Sequence, residues 1–240
     1  MSKVLITGAT SGIGESLAAI YAAQQNQVFA CGRNQLKLEQ LQQNSPNITA
    51  LAFDITNKQA IADAGNAIDE LDILILNAGD CEYIDDAKNF DGDLFARIIN
   101  TNLIAIGHLL QILLPKLNSG GQVVLVSSSV TILALPRSEA YGASKAGLDY
   151  LADSLRIDLA SHNIGVTLVH PGFIATPLTD KNTFAMPFII SSDEAAQRIY
   201  KGVAAKKWYL QFPKRFILLM KIIALLPKSL WLKIVNRGSN

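Results

Sequence analysis

Cysteine and histidine are both scarce in this chain. Only Cys31 and Cys81 occur among 240 residues, which excludes a disulfide framework or a thiolate metal site and leaves two ordinary thiols. Three histidines, His108, His162 and His170, come without clustered carboxylates, so none is read as a metal ligand or catalytic base. No metal is expected. No apolar run approaches the roughly 20 residues of a membrane span, and the apolar stretch of "MSKVLITG" is too short for a secretion signal. The expected address is the cytoplasm. Internal repeats and low-complexity tracts are missing, and a composition half hydrophobic and 17% charged excludes a disordered chain. The length suits one domain.

Acidic residues are absent from one whole region. Residues 201–240 hold nine Lys or Arg and no Asp or Glu, so of the chain's 21 basic and 20 acidic residues, 12 and 20 lie in residues 1–200. A net charge near zero therefore conceals an acidic body and a basic tail.

Short apolar runs alternate with helical patterns through most of the sequence. "VLIT" (4–7), "QVFAC" (27–31), "ITALAF" (48–53), "DILILN" (72–77), "QVVLVS" (122–127) and "GVTLVH" (165–170) lack polar alternation, as strands covered on both faces do. Helical patterns fall at 13–25, 34–43, 57–68, 91–116 and 139–162, and Ser191 with Glu194 forms a capping box opening a helix to about Ala205. "WYLQF" (208–212) offers a last strand. The order βαβα predicts an α/β fold, a doubly wound parallel sheet of the Rossmann kind, in a single domain with a basic amphipathic helical extension at the C-terminus. Residues 1–205 form the body and 206–240 the extension. Ligands in such sheets bind beyond the carboxyl ends of the strands, so chemistry is sought there.

"TGATSGIG" (7–14) joins the first strand to the first helix. Gly8, Gly12 and Gly14 follow GxxxGxG rather than GxGxxG, yet the physics is shared: a tight turn, close backbone approach to a pyrophosphate and the positive end of a helix. Ser11 and Ile13 lie in the same turn. A glycine-rich turn without a ligand is the bland alternative. The second strand ends in Gly32 and Arg33, where an NAD-preferring fold usually places an acid for the ribose hydroxyl. A guanidinium there suits a 2'-phosphate, so NADP(H) is the expected cofactor and NAD(H) the alternative; Arg33 stacked on adenine is the competing role.

"YGASK" (141–145) places Tyr141 and Lys145 four residues apart in a helical pattern, hence on one face. With the glycine turn, "NAG" at 77–79 and this pair in order, residues 3 to about 205 resemble the short-chain dehydrogenase/reductase family. That resemblance implies a catalytic set of Asn102, Ser128, Tyr141 and Lys145, with Ser128 selected among three serines by its thirteen-residue spacing to the tyrosine. It also implies cofactor contacts from Asp54 and Ile55 after the third strand, from Asn77, Ala78 and Gly79, and from Pro171, Gly172 and Thr176 in "HPGFIAT". The chain departs from the family's pattern at Leu76, at Thr131 and in its tail.

Lowering a tyrosine from about 10 to about 7 needs roughly 4 kcal/mol of preferential phenolate stabilisation. A close ammonium on Lys145 is expected to provide part of it, and to hold the nicotinamide ribose as well. The expected reaction is hydride transfer between NADP(H) and a carbonyl or secondary alcohol, with Tyr141 as proton donor or acceptor, Ser128 holding the substrate oxygen and Asn102 holding a water one shell out. A catalytically silent dinucleotide sensor or scaffold is the alternative from another class.

Residues 173–190 correspond to a substrate lid. Phe173, Leu178, Phe184, Met186 and Phe188 would line a hydrophobic small-molecule site or, equally, pack on the last helix. The tail, "FPKRFILLMKIIALLPKSLWLKIVN" from Phe212, admits a basic helix lying on an anionic membrane surface, a cover over the cleft, or a subunit interface. Its aliphatic density argues against nucleic acid. The resemblance implies a homo-oligomer, dimer or tetramer, pairing helices 91–116 and 139–162.

Overall fold

The computed structural model describes residues 1–237; Gly238 to Asn240, the end of the expected extension, lie outside the described residues. Six strands, β1 (Lys3–Thr7), β2 (Gln27–Gly32), β3 (Ile48–Ala52), β4 (Leu71–Leu76), β5 (Leu117–Val126) and β6 (Gly165–Pro171), alternate with helices. A short pair follows, β7 (Ile174–Ala175) with β8 (Ile190–Ser191), and then β9 (Tyr209–Phe212). The main sheet has the order β3-β2-β1-β4-β5-β6-β9 and every pairing is parallel. Strand order reverses between β1 and β4, which opens a crevice at their carboxyl ends.

Alternate strand residues feed opposite faces. Val4, Ile6, Val124 and Val126 pack with Leu17, Ala18, Leu38 and Ile199 from α1 (Gly12–Ala23), α2 (Gln35–Asn44) and α7 (Ser192–Ala204). Leu5, Leu74, Val123 and Leu125 pack the other way, on Ile61, Ile106, Leu109 and Leu148. Those four belong to α3 (Lys58–Asn66), α5 (Ala105–Leu113) and α6 (Glu139–Asp158). The apolar runs at β1, β2, β4, β5 and β6 are thus strands covered on both faces, whereas β3 at the sheet edge buries only Ile48 fully.

Helix starts follow local chemistry. Asn34, Asn57 and Ser191 accept hydrogen bonds from the backbone of Lys37, Ala60 and Glu194, and Asp91 caps α4 (Gly92–Ile99) in the same way. The single helix expected over 91–116 is instead α4, a π-helical turn at Asn100–Ile104, α5 and a 3-10 turn at Leu114–Lys116. By length and composition the helical run Gly92–Lys116 would suffice to cross a membrane, which corrects the expectation that no segment comes close. Its Ile98, Ile106, Leu109 and Leu113 are buried within the fold, as in the core helix of a soluble protein.

The extension is built into the body from its first residues, since β9 pairs with β6. After it come α8 (Lys214–Ala224) and α9 (Lys228–Arg237). Phe216, Ile217 and Met220 of α8 pack against Ile132, Leu133, Leu135 and Phe173, and Trp231 donates from its indole nitrogen to the Ala134 carbonyl at 2.9 Å.

Candidate active site

Three glycines shape the turn after β1, each for a different reason. Gly8 and Gly12 have φ of 69° and 55°, the left-handed region. A Cβ on Gly8 would come within 2.9 Å of the Ala78 Cα, and one on Gly12 within 2.7 Å of Thr176 Cγ2. Gly14 has ordinary dihedrals, but a Cβ there would meet the Gly8 carbonyl oxygen at 2.2 Å. It lets α1 abut the turn.

The neighbouring "NAG" loop is bolted to this turn. Thr7 Oγ1 accepts from the backbone N–H of Asn77 at 3.0 Å and of Ala78 at 3.1 Å, and the Asn77 amide donates to the Thr7 carbonyl at 3.0 Å. No side chain caps α1, so its first N–H groups are available to an anion beside Ser11 and Ile13. The result is a cleft of about 290 Å³ running from the turn across the strand ends.

Gly8, Ser11, Gly12, Ile13, Arg33, Asp54, Ile55, Asn77, Ala78, Gly79, Pro171, Gly172 and Thr176 line this cleft, together with Ser128, Tyr141 and Lys145. Two expected residues do not. Gly14 stands behind the turn for the steric reason given. Asn102 is buried in the π-helical turn, where its Oδ1 accepts from Asp80 N–H at 2.8 Å and its amide donates to the Asp80 carbonyl and Ser144 Oγ at 2.8 and 3.0 Å. Its donors tie the loop after β4 to α6.

At the end of the cleft beside β2 and β3, the exposed Arg33 guanidinium lies 3.9 Å from Asp54 Oδ2. Burial opposes ionisation of Asp54, but hydrogen bonds from Thr56 and the charge of Arg33 outweigh it and hold the carboxyl below its ordinary range. The space a Cβ on Gly32 would need is filled by Thr10, whose Cγ2 is 2.6 Å from that point.

At the other end, α6 presents Tyr141 and Lys145 on one side, with the Lys145 nitrogen 5.7 Å from the phenol ring centroid. Ser128 caps the 3-10 turn after β5, its Oγ accepting from Val130 N–H at 3.2 Å. Burial, with Cys81 acting in the same direction, pushes the Tyr141 phenol up, and the Ser128 hydroxyl offsets only part of this. Lys145 does not draw it down as the sequence suggested. The same burial lowers the ammonium to about 8, with Asp149 and Cys81 pulling back, and its nitrogen donates to the Val126 carbonyl at 2.9 Å. Desolvation dominates because Lys145 is buried and the half-buried Tyr141 is set into the wall of the cleft.

Sequence reasoning missed Thr7, Thr10, Cys81 and Tyr83. Tyr83 donates to Asn182 Oδ1 at 2.7 Å, packs edge-on against Phe184 at 5.9 Å between centroids and lies close enough to Tyr141 to raise its own phenol further after burial. Phe173 joins Phe184 and Phe216 at 6.0 and 5.4 Å. The polar run "DCEY" (80–83) directly after "NAG", in the loop at the carboxyl end of β4, was the available signal for Cys81 and Tyr83. Among the described residues no group of His, Cys, Asp and Glu could hold a metal.

Comparison with known proteins agrees with this geometry. Residues 2–186 match the family model for short chain dehydrogenases. An uncharacterised oxidoreductase of Myxococcus xanthus is 31% identical over 95% of this chain and 93% of its own. A short-chain dehydrogenase from Streptomyces avermitilis superposes with a TM-score of 0.83 at 22% identity, covering all of this chain and 98% of that one. A structure of BdcA in complex with NADPH superposes at 0.78 and 22% identity over 88% and 91% of the two chains. With a parallel sheet reversing at β1 and β4, a glycine turn opening the cleft and a family match over most of its length, the chain belongs to the short-chain dehydrogenases, oxidoreductases that bind a nicotinamide cofactor.

Proposed function

We propose that this chain is an NADP(H)-dependent oxidoreductase that moves a hydride between nicotinamide and a carbonyl or secondary alcohol of a hydrophobic compound. The observation that carries the reading is the convergence of Ser128, Tyr141 and Lys145 on one wall of a cleft that begins at the glycine turn. The uncapped start of α1 and the bare backbone at Gly8 and Gly12 fit a pyrophosphate, and the exposed Arg33 beyond β2 fits a 2'-phosphate. That a similarly folded protein was solved with NADPH agrees with this preference.

A bound nicotinamide supplies the hydride and, when oxidised, a positive charge beside the phenol. Tyr141 donates the proton to the carbonyl oxygen in the reducing direction and takes it back in the oxidising one. Burial keeps the proton on its phenol but makes it a weaker donor, so the positive charge of an oxidised nicotinamide would be needed to draw the phenol down. Ser128 donates to the same oxygen and fixes its approach, and Lys145, held by Val126, is placed to hold the nicotinamide ribose. Asn102 positions the loop after β4 against α6. Ile174 and Leu178 line the cleft and support an apolar substrate, whereas Tyr83, Phe173 and Phe184 pack on one another outside that lining.

The test is Tyr141→Phe. Turnover of a carbonyl panel with NADPH should fall by a factor of about 10² to 10⁴ while cofactor binding persists. Equal turnover by the variant would remove Tyr141 as proton donor, whereas a wild type that binds NADPH and turns over no carbonyl would leave the silent-sensor reading. Exposed Tyr150 and Ile157, seven residues apart on α6, with Ile104 nearby in the helical run, support a homo-oligomer; sedimentation of wild type against Tyr150→Lys tests it.

A further inference from the structure

We propose that the outer face of α8 and α9 docks on the surface of an anionic lipid bilayer. In a soluble protein a surface helix turns its apolar stripe inward and its charges outward. Helix α8 does the first and not the second. Phe216, Ile217 and Met220 face the body, yet Leu218, Ile222 and Leu225, at spacings of four and three, are 61%, 55% and 85% exposed on the other side, beside Leu219. Helix α9 adds exposed Leu230 and Ile234, four apart and so on one face, and exposed Leu232 beside the next turn.

The charges set among these residues are of one sign. Lys214, Arg215, Lys221, Lys228 and Lys233 are all exposed, and residues 201–240 contain no acid. A second copy of the chain on this face would bring two such sets of cations together without a carboxylate in either tail, so self-pairing here is opposed. An anionic bilayer answers both features, taking the aliphatic side chains among its acyl chains and the cations at its headgroups. The patch continues into the lid, because Phe188 packs on Phe216 at 6.4 Å between centroids and Phe184, Phe188 and Ile189 are themselves exposed.

Flotation with vesicles tests the proposal on the full chain. Wild type should float with phosphatidylcholine vesicles containing about a third phosphatidylserine, bind pure phosphatidylcholine at least about tenfold less, and be largely released at roughly 0.5 M salt. The triple variant Leu218→Asp, Ile222→Asp, Leu225→Asp alters only outward positions and should lose at least about tenfold of the binding with an unchanged melting temperature. Should the triple variant fail to fold, Lys214→Glu with Lys228→Glu gives the same readout through charge alone. Wild type that stays in solution beside the anionic vesicles would overturn the proposal. So would a variant that floats equally well, or a wild-type dimer that the triple substitution splits into monomers.

Discussion

Nε2 of His170 lies 3.0 Å from Oδ2 of Asp149, and Asp149 stands one helical turn along α6 from Lys145. The network behind the ring fixes its tautomer. Lys221 can only donate, so Gln211 Oε1 takes its hydrogen bond at 2.7 Å and the Gln211 amide donates to His170 Nδ1 at 3.0 Å. A neutral ring then carries its proton on Nε2, aimed at the carboxylate. The other oxygen of Asp149 is buried without a partner, and its negative charge opposes the loss of the Lys145 proton.

Asp149→Asn should therefore move the alkaline limb of carbonyl reduction to lower pH. Burial lowers Lys145 to about 8, Asp149 and Cys81 resist this, and removing the carboxylate removes the larger resistance. The pH dependence of kcat/KM, wild type against variant, shows the shift. A role in folding alone would change stability and leave the limb in place.

The same lysine makes stability depend on pH. Its folded value near 8 lies below the ordinary 10.5, so between the two the unfolded chain holds more protons and stability rises with pH. Below about 8 the penalty of the buried charge is at its full size. Urea unfolding of wild type relative to Lys145→Met should show that gap narrowing as pH climbs through this window.

Arg33→Ala should weaken NADPH binding by about 10- to 100-fold, the worth of a charge-assisted hydrogen bond, and leave NADH binding within a few-fold. Fluorescence titration of both cofactors measures the ratio. An equal loss for the two would assign Arg33 to adenine stacking.

Gly14→Ala should destabilise the fold by about 1 to 3 kcal/mol or more, because its methyl would lie 2.2 Å from the Gly8 oxygen and 2.7 Å from the Asn77 amide. Thermal unfolding reports it. Residual cofactor affinity per folded molecule would confirm that Gly14 acts through the turn.

Asn102→Ala leaves Asp80 and Ser144 without their partners and should cost on the order of 2 kcal/mol of stability. Denaturant melts measure it, and Asn102→Asp, which sets a buried carboxylate oxygen against the Asp80 carbonyl, should not recover the loss.

The parts of this fold written in local pattern were legible. Strands buried on both faces read as unbroken apolar runs, the Ser191 capping box stood where α7 begins, and the glycine turn fell at the strand-to-helix junction. Ser128, Tyr141 and Lys145 could be placed because their spacing is short and family-specific. What escaped depends on contacts across the sheet. His170 and Asp149 are 21 residues apart, and nothing in either neighbourhood announces the other. The π-helical turn that aims Asn102 at the loop after β4 has no compositional mark. The charge of Lys145 was correctly located, but its effect on Tyr141 was misjudged, because the depth of the pocket cannot be read from four letters of helix.

Gly172 has no room for a side chain because Phe216 of α8 stands 2.8 Å from where its Cβ would be and Pro213 3.1 Å. Helix α8 thus rests directly on the backbone that forms the floor of the cleft. A stretch beyond the family match in this way backs the cleft, and a tilt of that helix would bear on Gly172 through both Phe216 and Pro213.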